Sequence, residues 1–333
     1  MFDMIITKTP FRMSFFGGGT DFPDFYRKHG GTVLSTTFDK YCYVTLRALP
    51  ALYTYDSEFV YSKTERVNDN RDIAHPLIRE AMLWQDVHRV RLSYDADLPA
   101  RSGLGTSSAF AVGMLHAIRA ARGEKVTKES LAREAIYLER TLCRESGGVQ
   151  DQIATAYGGF HRIDFEGEDF TVTPVQISPA RKVALNESLM LFFTGVSRVS
   201  AELQTAHQAA LGDRTAELCR MRDMAREATT LLEGDAPLDD FGALLHEGWC
   251  LKRGITDRIT NGYIDALYGR ALAAGALGGK LLGAGGGGFL LFYVPEERQA
   301  AVRAALKELK EAPFSFESEG TSLLLNTGSK LDI

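Results

Sequence analysis

The residues most able to do chemistry in this 333-residue chain sit in and beside three glycine-rich stretches. In the first, Arg12 and Asp21 flank Gly17, Gly18, Gly19 and Thr20, two opposite charges on either side of a turn without side chains. The second runs from Leu98 to Gly113 and contains Pro99, Arg101, Ser102, Gly103, Leu104, Gly105, Thr106, Ser107 and Ser108. The third, Leu281 to Gly288, has Gly285 and Gly286 at its centre, and two acids, Glu139 and Asp151, lie between it and the second. Gly103 and Gly105 lack a Cβ, so the backbone there can turn sharply and approach a ligand. Ser107 and Ser108 can cap the helix that opens at them, and the free N–H groups of a helix end attract anions, phosphate above all. Taken singly, each feature has a plainer explanation: a capped helix after a glycine turn, an inter-strand turn at Gly17 to Gly19, a helix cap at Asp151. Three such segments in one chain are explained more economically by phosphate binding. The usual phosphate signatures do not fit, since Lys280 is followed by Leu281, position 274 is Ala, and no G-x-G-x-x-G follows a strand. A P-loop NTPase and a dinucleotide-binding dehydrogenase are thereby disfavoured.

The elements that must position these residues follow from hydrophobic period. Residues 4–16 read as a strand broken at Pro10 that leads into the first glycine stretch. β-Branched and aromatic residues over 32–46 and 53–61 predict strands with hairpin connections, and 75–86 a short helix. Val90 to Tyr94 alternates as a half-buried strand and runs through the second stretch into a helix from Ser107 or Ser108 to about Arg122, stopped at Gly123. A second helix is predicted over 128–143, with Leu131, Ala135, Leu138 and Leu142 on one face and Glu139 beside it. Asp151 falls near the N-terminus of a further helix. Strands at 160–165 and 170–177 precede a boundary near Ser178 and Pro179. Beyond it, 188–194 is an apolar strand, most of 200–275 is helical (201–211, 214–233, 238–252 and 262–274), 289–294 is a strand, Pro295 opens an amphipathic helix, and a last strand lies near 314–325.

Composition bounds the function. At 45% hydrophobic the chain can bury a full core, and its net charge of −5, without a Lys/Arg block, argues against nucleic acid or an anionic membrane as partner. Cys42, Cys143, Cys219 and Cys250 are far apart and the seven histidines show no H-x-x-x-H pair, so neither structural zinc nor a disulfide framework is indicated. No targeting signal or transmembrane run is visible, which reads as a cytoplasmic protein. Monomer and homodimer both remain open.

In order along nearly the whole chain, Thr9 to Asp21, Pro99 to Ala109 and Lys280 to Gly288 resemble the three motifs of the GHMP kinases, the superfamily of galactokinase, homoserine kinase and mevalonate kinase. The resemblance implies a two-domain α/β (α+β) fold. Its N-terminal domain, 1–180, would resemble the second domain of ribosomal protein S5 and its C-terminal domain, 181–333, a ferredoxin, with the active site between them. It also implies that the stretch from Pro99 to Ser108 wraps the phosphates of ATP, that Ser107 and Glu139 hold Mg²⁺, and that Asp151, seven residues before Gly158 and Gly159, is the catalytic base. Arg12 takes the place of the basic residue near the attacking hydroxyl, and the third motif, with Gly285 and Gly286, closes on phosphates and acceptor. These are the parts phosphoryl transfer needs: backbone donors, a cation held by oxygens, and an acceptor for the hydroxyl proton.

Gly18 and Gly19 stand where galactokinase has a Glu-His pair on the sugar, so the acceptor is expected to be a sugar other than galactose, met by Gly17 to Asp21. The strings around Phe11 to Phe22, Glu139 to Gln152 and Glu247 to Arg253 are similar to the D-glycero-D-manno-heptose 7-phosphate kinases, which phosphorylate an anomeric C1 hydroxyl for GDP-heptose synthesis. An acceptor already bearing phosphate calls for a cationic pocket, for which Arg198, Lys252 and Arg253 are the candidates, each equally readable as a solvated charge. Trp249 reads as core. The alternatives are a kinase for an unphosphorylated sugar such as fucose, or a sugar-sensing protein that keeps the fold without catalysis.

Overall fold

A computed structural model describes residues 4–100, 102–195, 214–256, 258–327 and 333. The expected segment 201–211 and the candidate residues Arg101 and Arg198 lie outside these. The frame is set by two long antiparallel strands, β1 (Met4–Phe16) and β2 (Gly31–Ala48), paired from Met4 with Arg47 to Phe16 with Leu34. Pro10 does not break β1 as expected. The register shifts between Pro10 and Phe11, so a bulge absorbs the missing donor and the strand continues to the first glycine stretch. A short helix, α1 (Pro23–His29), follows that stretch, and β3 (Ser57–Val60), β4 (Thr64–Val67), α2 (Pro76–Gln85) and β5 (Val90–Ala96) complete one side of the sheet.

β5 delivers the chain to the second glycine stretch and to α3 (Thr106–Ala121), whose apolar residues are buried on all sides. Gly113 lets this helix lie against β1: a Cβ there would sit 2.8 Å from Thr9 Oγ1, and Thr7 donates a hydrogen bond to the Gly113 carbonyl at 3.0 Å. Gly105, at φ 71°, holds the N-cap position and no side chain caps the helix, so Ser107 and Ser108 lie inside its first turn rather than capping it. Gly123, at φ 69°, ends it as expected. The predicted helix over 128–143 is interrupted. α4 (Lys128–Ile136) opens on a Thr127–Ser130 capping box and then widens into a π-helical turn, Tyr137–Leu142, which contains Glu139; such widenings are frequent at functional sites. α5 (Gln150–Tyr157) carries Asp151 in its first turn, and the antiparallel pair β6 (His161–Glu166) and β7 (Asp169–Pro174) returns to β2.

Ser178 caps α6 (Pro179–Glu187), which leads to β8 (Leu189–Phe193). Three helices follow, α7 (Thr215–Glu233), α8 (Asp239–Arg253) and α9 (Gly262–Ala273), then β9 (Gly278–Leu281), β10 (Phe289–Tyr293), α10 (Glu296–Ala305) and β11 (Lys310–Glu311). The sheet order β11-β8-β10-β9, antiparallel throughout, is the ferredoxin-like arrangement. Its second core gathers Trp249, Phe192, Phe292 and Tyr268, so Trp249 is a core residue. The last expected strand is divided. After β11, β12 (Phe316–Glu317) pairs with β2 and β13 (Ser322–Asn326) with β1, so the end of the chain rejoins the first sheet. The expected division into 1–180 and 181–333 therefore does not describe the sheets, because 316–326 contributes two strands to the N-terminal one.

Candidate active site

Between the two sheets lies a cleft of about 1050 Å³ into which all three glycine stretches open. Its floor is an ion pair. Arg12, on β1, donates from Nε and Nη2 to the two carboxylate oxygens of Asp151 at 2.7 Å each, and its Nη1 donates to the Gly103 carbonyl at 2.7 Å. The Arg12 backbone N–H adds a bond to the Leu104 carbonyl at 3.1 Å. The arginine is thus buried and fully committed, whereas the Asp151 side chain keeps 24% of its surface in the cleft. Asp151 does not cap its helix; the N-cap position belongs to Val149.

The second and third stretches meet backbone to backbone. A Cβ on Gly103 would lie 2.4 Å from the Leu282 carbonyl oxygen, one on Gly283 2.4 Å from the Gly103 Cα, and one on Gly288 2.4 Å from the Ser102 carbonyl oxygen. Gly103 and Gly283 also have φ of 83° and 77°, values that disfavour any side chain. Two loops stripped in this way line the cleft with peptide groups, the surface a polyphosphate needs.

At one side Glu139 is buried against α3 and α5, and burial pushes its carboxyl above the usual range. Ser108 Oγ donates to Glu139 Oε2 at 2.8 Å, and Gln152 Nε2 donates to the same oxygen. Ser107 also hydrogen-bonds this carboxylate from the first turn of α3, and both residues line the cleft. A hydroxyl beside a carboxylate is an oxygen donor set of the kind Mg²⁺ takes, so these residues fit that ion. Among the described residues no cluster of three or more His, Cys, Asp or Glu could hold a metal.

At the other end, Asp21 is buried and accepts the N–H groups of Gly19 at 2.9 Å and Gln150 at 3.2 Å, a clamp between the first stretch and α5. Burial raises its carboxyl, with these N–H bonds opposing. Lys252, on α8, reaches in and donates to the carbonyls of Gly283 at 2.5 Å and Leu281 at 3.4 Å. Burial, with Arg12 nearby, lowers its ammonium to about 8. Lys280, on β9, donates to the carbonyls of Ser14 and Phe15 at 2.8 and 2.6 Å, and burial lowers it strongly.

Of the residues singled out from sequence, Arg12, Gly18, Gly19, Asp21, Gly103, Gly105, Thr106, Ser107, Ser108, Glu139, Asp151, Lys252 and Gly285 line this cleft. Gly17, Thr20, Pro99, Ser102, Leu104 and Gly286 do not line it: Pro99 is exposed, Thr20 Oγ1 ties Gly17 to Thr32, Leu104 is core, and the Gly286 N–H donates to the Ile259 carbonyl. Arg253 is turned away, exposed and 3.8 Å from Asp265, so it does not join the cleft. Sequence reading missed Ser14, Gln150, Gln152 and Lys280. For the choice of Lys252 over Arg253 there was a signal, because Phe241, Leu245, Trp249 and Lys252 form one helical stripe.

An ion pair beneath two interlocked glycine loops, between a ferredoxin-like sheet and a larger mixed sheet, is a phosphotransfer cleft, and family comparison agrees: the chain belongs to the GHMP kinases. The model of the GHMP kinases N terminal domain matches residues 72–159 and that of the GHMP kinases C terminal region residues 231–312. Within that family it is an ATP-dependent sugar kinase. It is 30% identical to a D-glycero-alpha-D-manno-heptose 7-phosphate kinase of Campylobacter jejuni, over 95% of this chain and 97% of that one. A bifunctional fucokinase/GDP-fucose pyrophosphorylase of Arabidopsis thaliana is 29% identical over 65% of this chain and 21% of its own length. Among solved structures, a D-glycero-D-manno-heptose 1-phosphate kinase from Bacteriodes thetaiotaomicron superposes with a TM-score of 0.76 at 23% identity, covering 96% of this chain and 99% of that one.

Proposed function

We propose that the chain transfers the γ-phosphoryl group of Mg-ATP to the anomeric C1 hydroxyl of D-glycero-D-manno-heptose 7-phosphate, giving the 1,7-bisphosphate. The observation that carries this reading is the 30% identity, over nearly the whole of both chains, with the Campylobacter heptose 7-phosphate kinase. The ATP phosphates lie along the backbone of Gly103 to Ser108 and the facing loop at Gly283 to Gly288. Ser107 and Glu139 hold Mg²⁺, which when bound neutralises charge on those phosphates. The C1 oxygen attacks Pγ as the bond from Pγ to the bridging oxygen breaks and ADP leaves with that electron pair; the hydroxyl proton passes to Asp151. Arg12 keeps the Asp151 carboxylate oriented through two bonds and stands beside the charge that develops. Of the two expected cations among the described residues, Lys252 is the one that lines the cleft, and it takes the acceptor's anionic group.

Turnover of heptose 7-phosphate against free heptose and fucose tests the reading. Preference for the phosphorylated sugar is expected. Equal rates on the unphosphorylated sugars would remove the phosphate contact, and no ADP release with any sugar would favour a non-catalytic sensor.

A further inference from the structure

We propose that Ser14 and Gln150, converging on the space in front of Gly18, form a neutral subsite that binds ring hydroxyls of the acceptor and sets which polyol the enzyme takes. This rests on the sugar-kinase assignment and needs no 7-phosphate. Ser14 and Gln150 are 6% and 8% exposed, and both line the cleft. Ser14 Oγ and Gln150 Oε1 are nonetheless buried atoms without a hydrogen-bond partner among the described residues. Buried polar atoms are nearly always paired, so two orphans at one wall of a binding cleft point to a ligand group that completes them.

The surroundings show why neither atom finds a partner within the protein. Three neighbouring backbone groups are already held. The Ser14 and Phe15 carbonyls, set free where the β1–β2 register shifts between Ser14 and Phe16, are taken by Lys280. The Gln150 N–H is taken by Asp21. A Cβ on Gly18 would lie 3.7 Å from Gln150 Nε2 and 3.8 Å from Ser14 Oγ, so the missing side chain is the notch that both residues face.

The chemistry selects the ligand. The Gln150 amide turns its Nε2 donor to the notch with the unpaired Oε1 acceptor behind it, and Ser14 Oγ donates or accepts, so the set suits hydroxyl groups, which do both. The Asp21 carboxylate beside them disfavours a phosphate in the same notch. Gln150 and Asp151 both line the cleft, so a hydroxyl held by Gln150 belongs to the same sugar as the one facing Asp151. On a pyranose phosphorylated at C1 the hydroxyls nearest that centre are those on C2 and C3.

The test uses three variants of the whole chain: Gly18→Ala, Ser14→Ala and Gln150→Leu. Gly18 lies outside the left-handed φ region and its new methyl meets only ordinary contacts, so Gly18→Ala fills the notch without straining the fold. Initial rates are measured with heptose 7-phosphate, its 2-deoxy and 3-deoxy analogues, and fucose. Each variant is expected to raise the KM of the acceptor about tenfold while the ATP KM stays within twofold, which also reports an intact fold. The wild-type penalty for one deoxy analogue should vanish in Ser14→Ala or Gln150→Leu, a non-additivity that a structural role would not produce. If the wild type prefers fucose, the heptose reading fails and the same variants are measured on fucose with the same expectation. Acceptor KM within twofold of wild type in all three variants, on whichever sugar is turned over, would overturn the subsite. A wild type that phosphorylates none of these sugars would overturn both readings.

Discussion

Replacing Asp151 separates the role the structure gives it, holding Arg12, from the one proposed for it, receiving a proton. Asp151→Asn keeps the size of the side chain and one carbonyl oxygen, so one of the two 2.7 Å bonds from Arg12 can persist while proton acceptance is lost. A positioned general base is worth about 10²- to 10⁴-fold, or roughly 2.7–5.4 kcal/mol of barrier at about 1.36 kcal/mol per decade. Asp151→Ala removes the same function and also leaves the buried Arg12 guanidinium with only the Gly103 carbonyl. Breaking a fully buried pair costs about 3–5 kcal/mol, and because the Asp151 side chain is 24% exposed we expect about 1–3 kcal/mol here. Both variants should therefore lose at least a hundredfold in kcat, and the alanine variant should in addition melt earlier. ATP affinity should survive in both, since the nucleotide loop is tied to β1 by the Arg12 backbone N–H rather than by Asp151. Rapid-quench single turnovers give the chemical step, and titration with a fluorescent ATP analogue gives nucleotide affinity without the acceptor. A single-turnover rate within threefold of wild type in Asp151→Asn would refute the base assignment, whatever happens to stability.

Three further outcomes follow from the same geometry. Glu139→Gln keeps an acceptor for Ser108 but removes the charge, so the Mg²⁺ concentration for half-maximal rate should rise tenfold or more at saturating ATP; an unchanged Mg²⁺ titration would take Glu139 out of the ion site. Gly103→Ala places a Cβ 2.4 Å from the Leu282 oxygen at a φ of 83° and should cost about 2–4 kcal/mol in urea unfolding, with a weakened ATP KM; a loss below 1 kcal/mol would mean the two loops part readily. Lys252 binds its proton less tightly folded, at about 8, than unfolded at 10.5, so between those values the unfolded chain holds more protons and stability rises with pH. Relative to Lys252→Met, the wild type should therefore gain on the order of 3 kcal/mol from pH 8 to 10.5, and a flat difference across that window would place the ammonium in water.

What could be read in the sequence is what local chemistry demands. A loop that must present bare backbone needs glycine at fixed places, and the three stretches carry that requirement openly, as does the acid in the first turn of α5. The failures in strand assignment and in Lys280 are long-range. Nothing near Pro10 says that a bulge will absorb it, because the bulge depends on where β2 pairs. β12 and β13 read as the end of the second unit because strand character carries no address; only pairing with β2 and β1 assigns them to the first sheet. Lys280 lies 266 residues from Ser14, and no spacing rule connects a lysine on one sheet to a freed carbonyl on another.

Lys252 and Arg253 show where sequence reasoning had more to offer than charge counting. Adjacent helical residues point about 100° apart, so two neighbouring cations cannot serve one pocket from the same helix face. The stripe of Phe241, Leu245 and Trp249 puts Lys252 inside and Arg253 outside, and the buried member is the one that meets Gly283 in the cleft. The same logic separates the acids. Glu139 and Asp21 are held by N–H and O–H donors from their neighbours, while Asp151 is held by one arginine and still reaches the cleft. Three buried or half-buried carboxylates thus differ in what grips them, and that difference supports the proposed division in which Asp151 receives the proton while Glu139 serves the ion and Asp21 holds a loop in place.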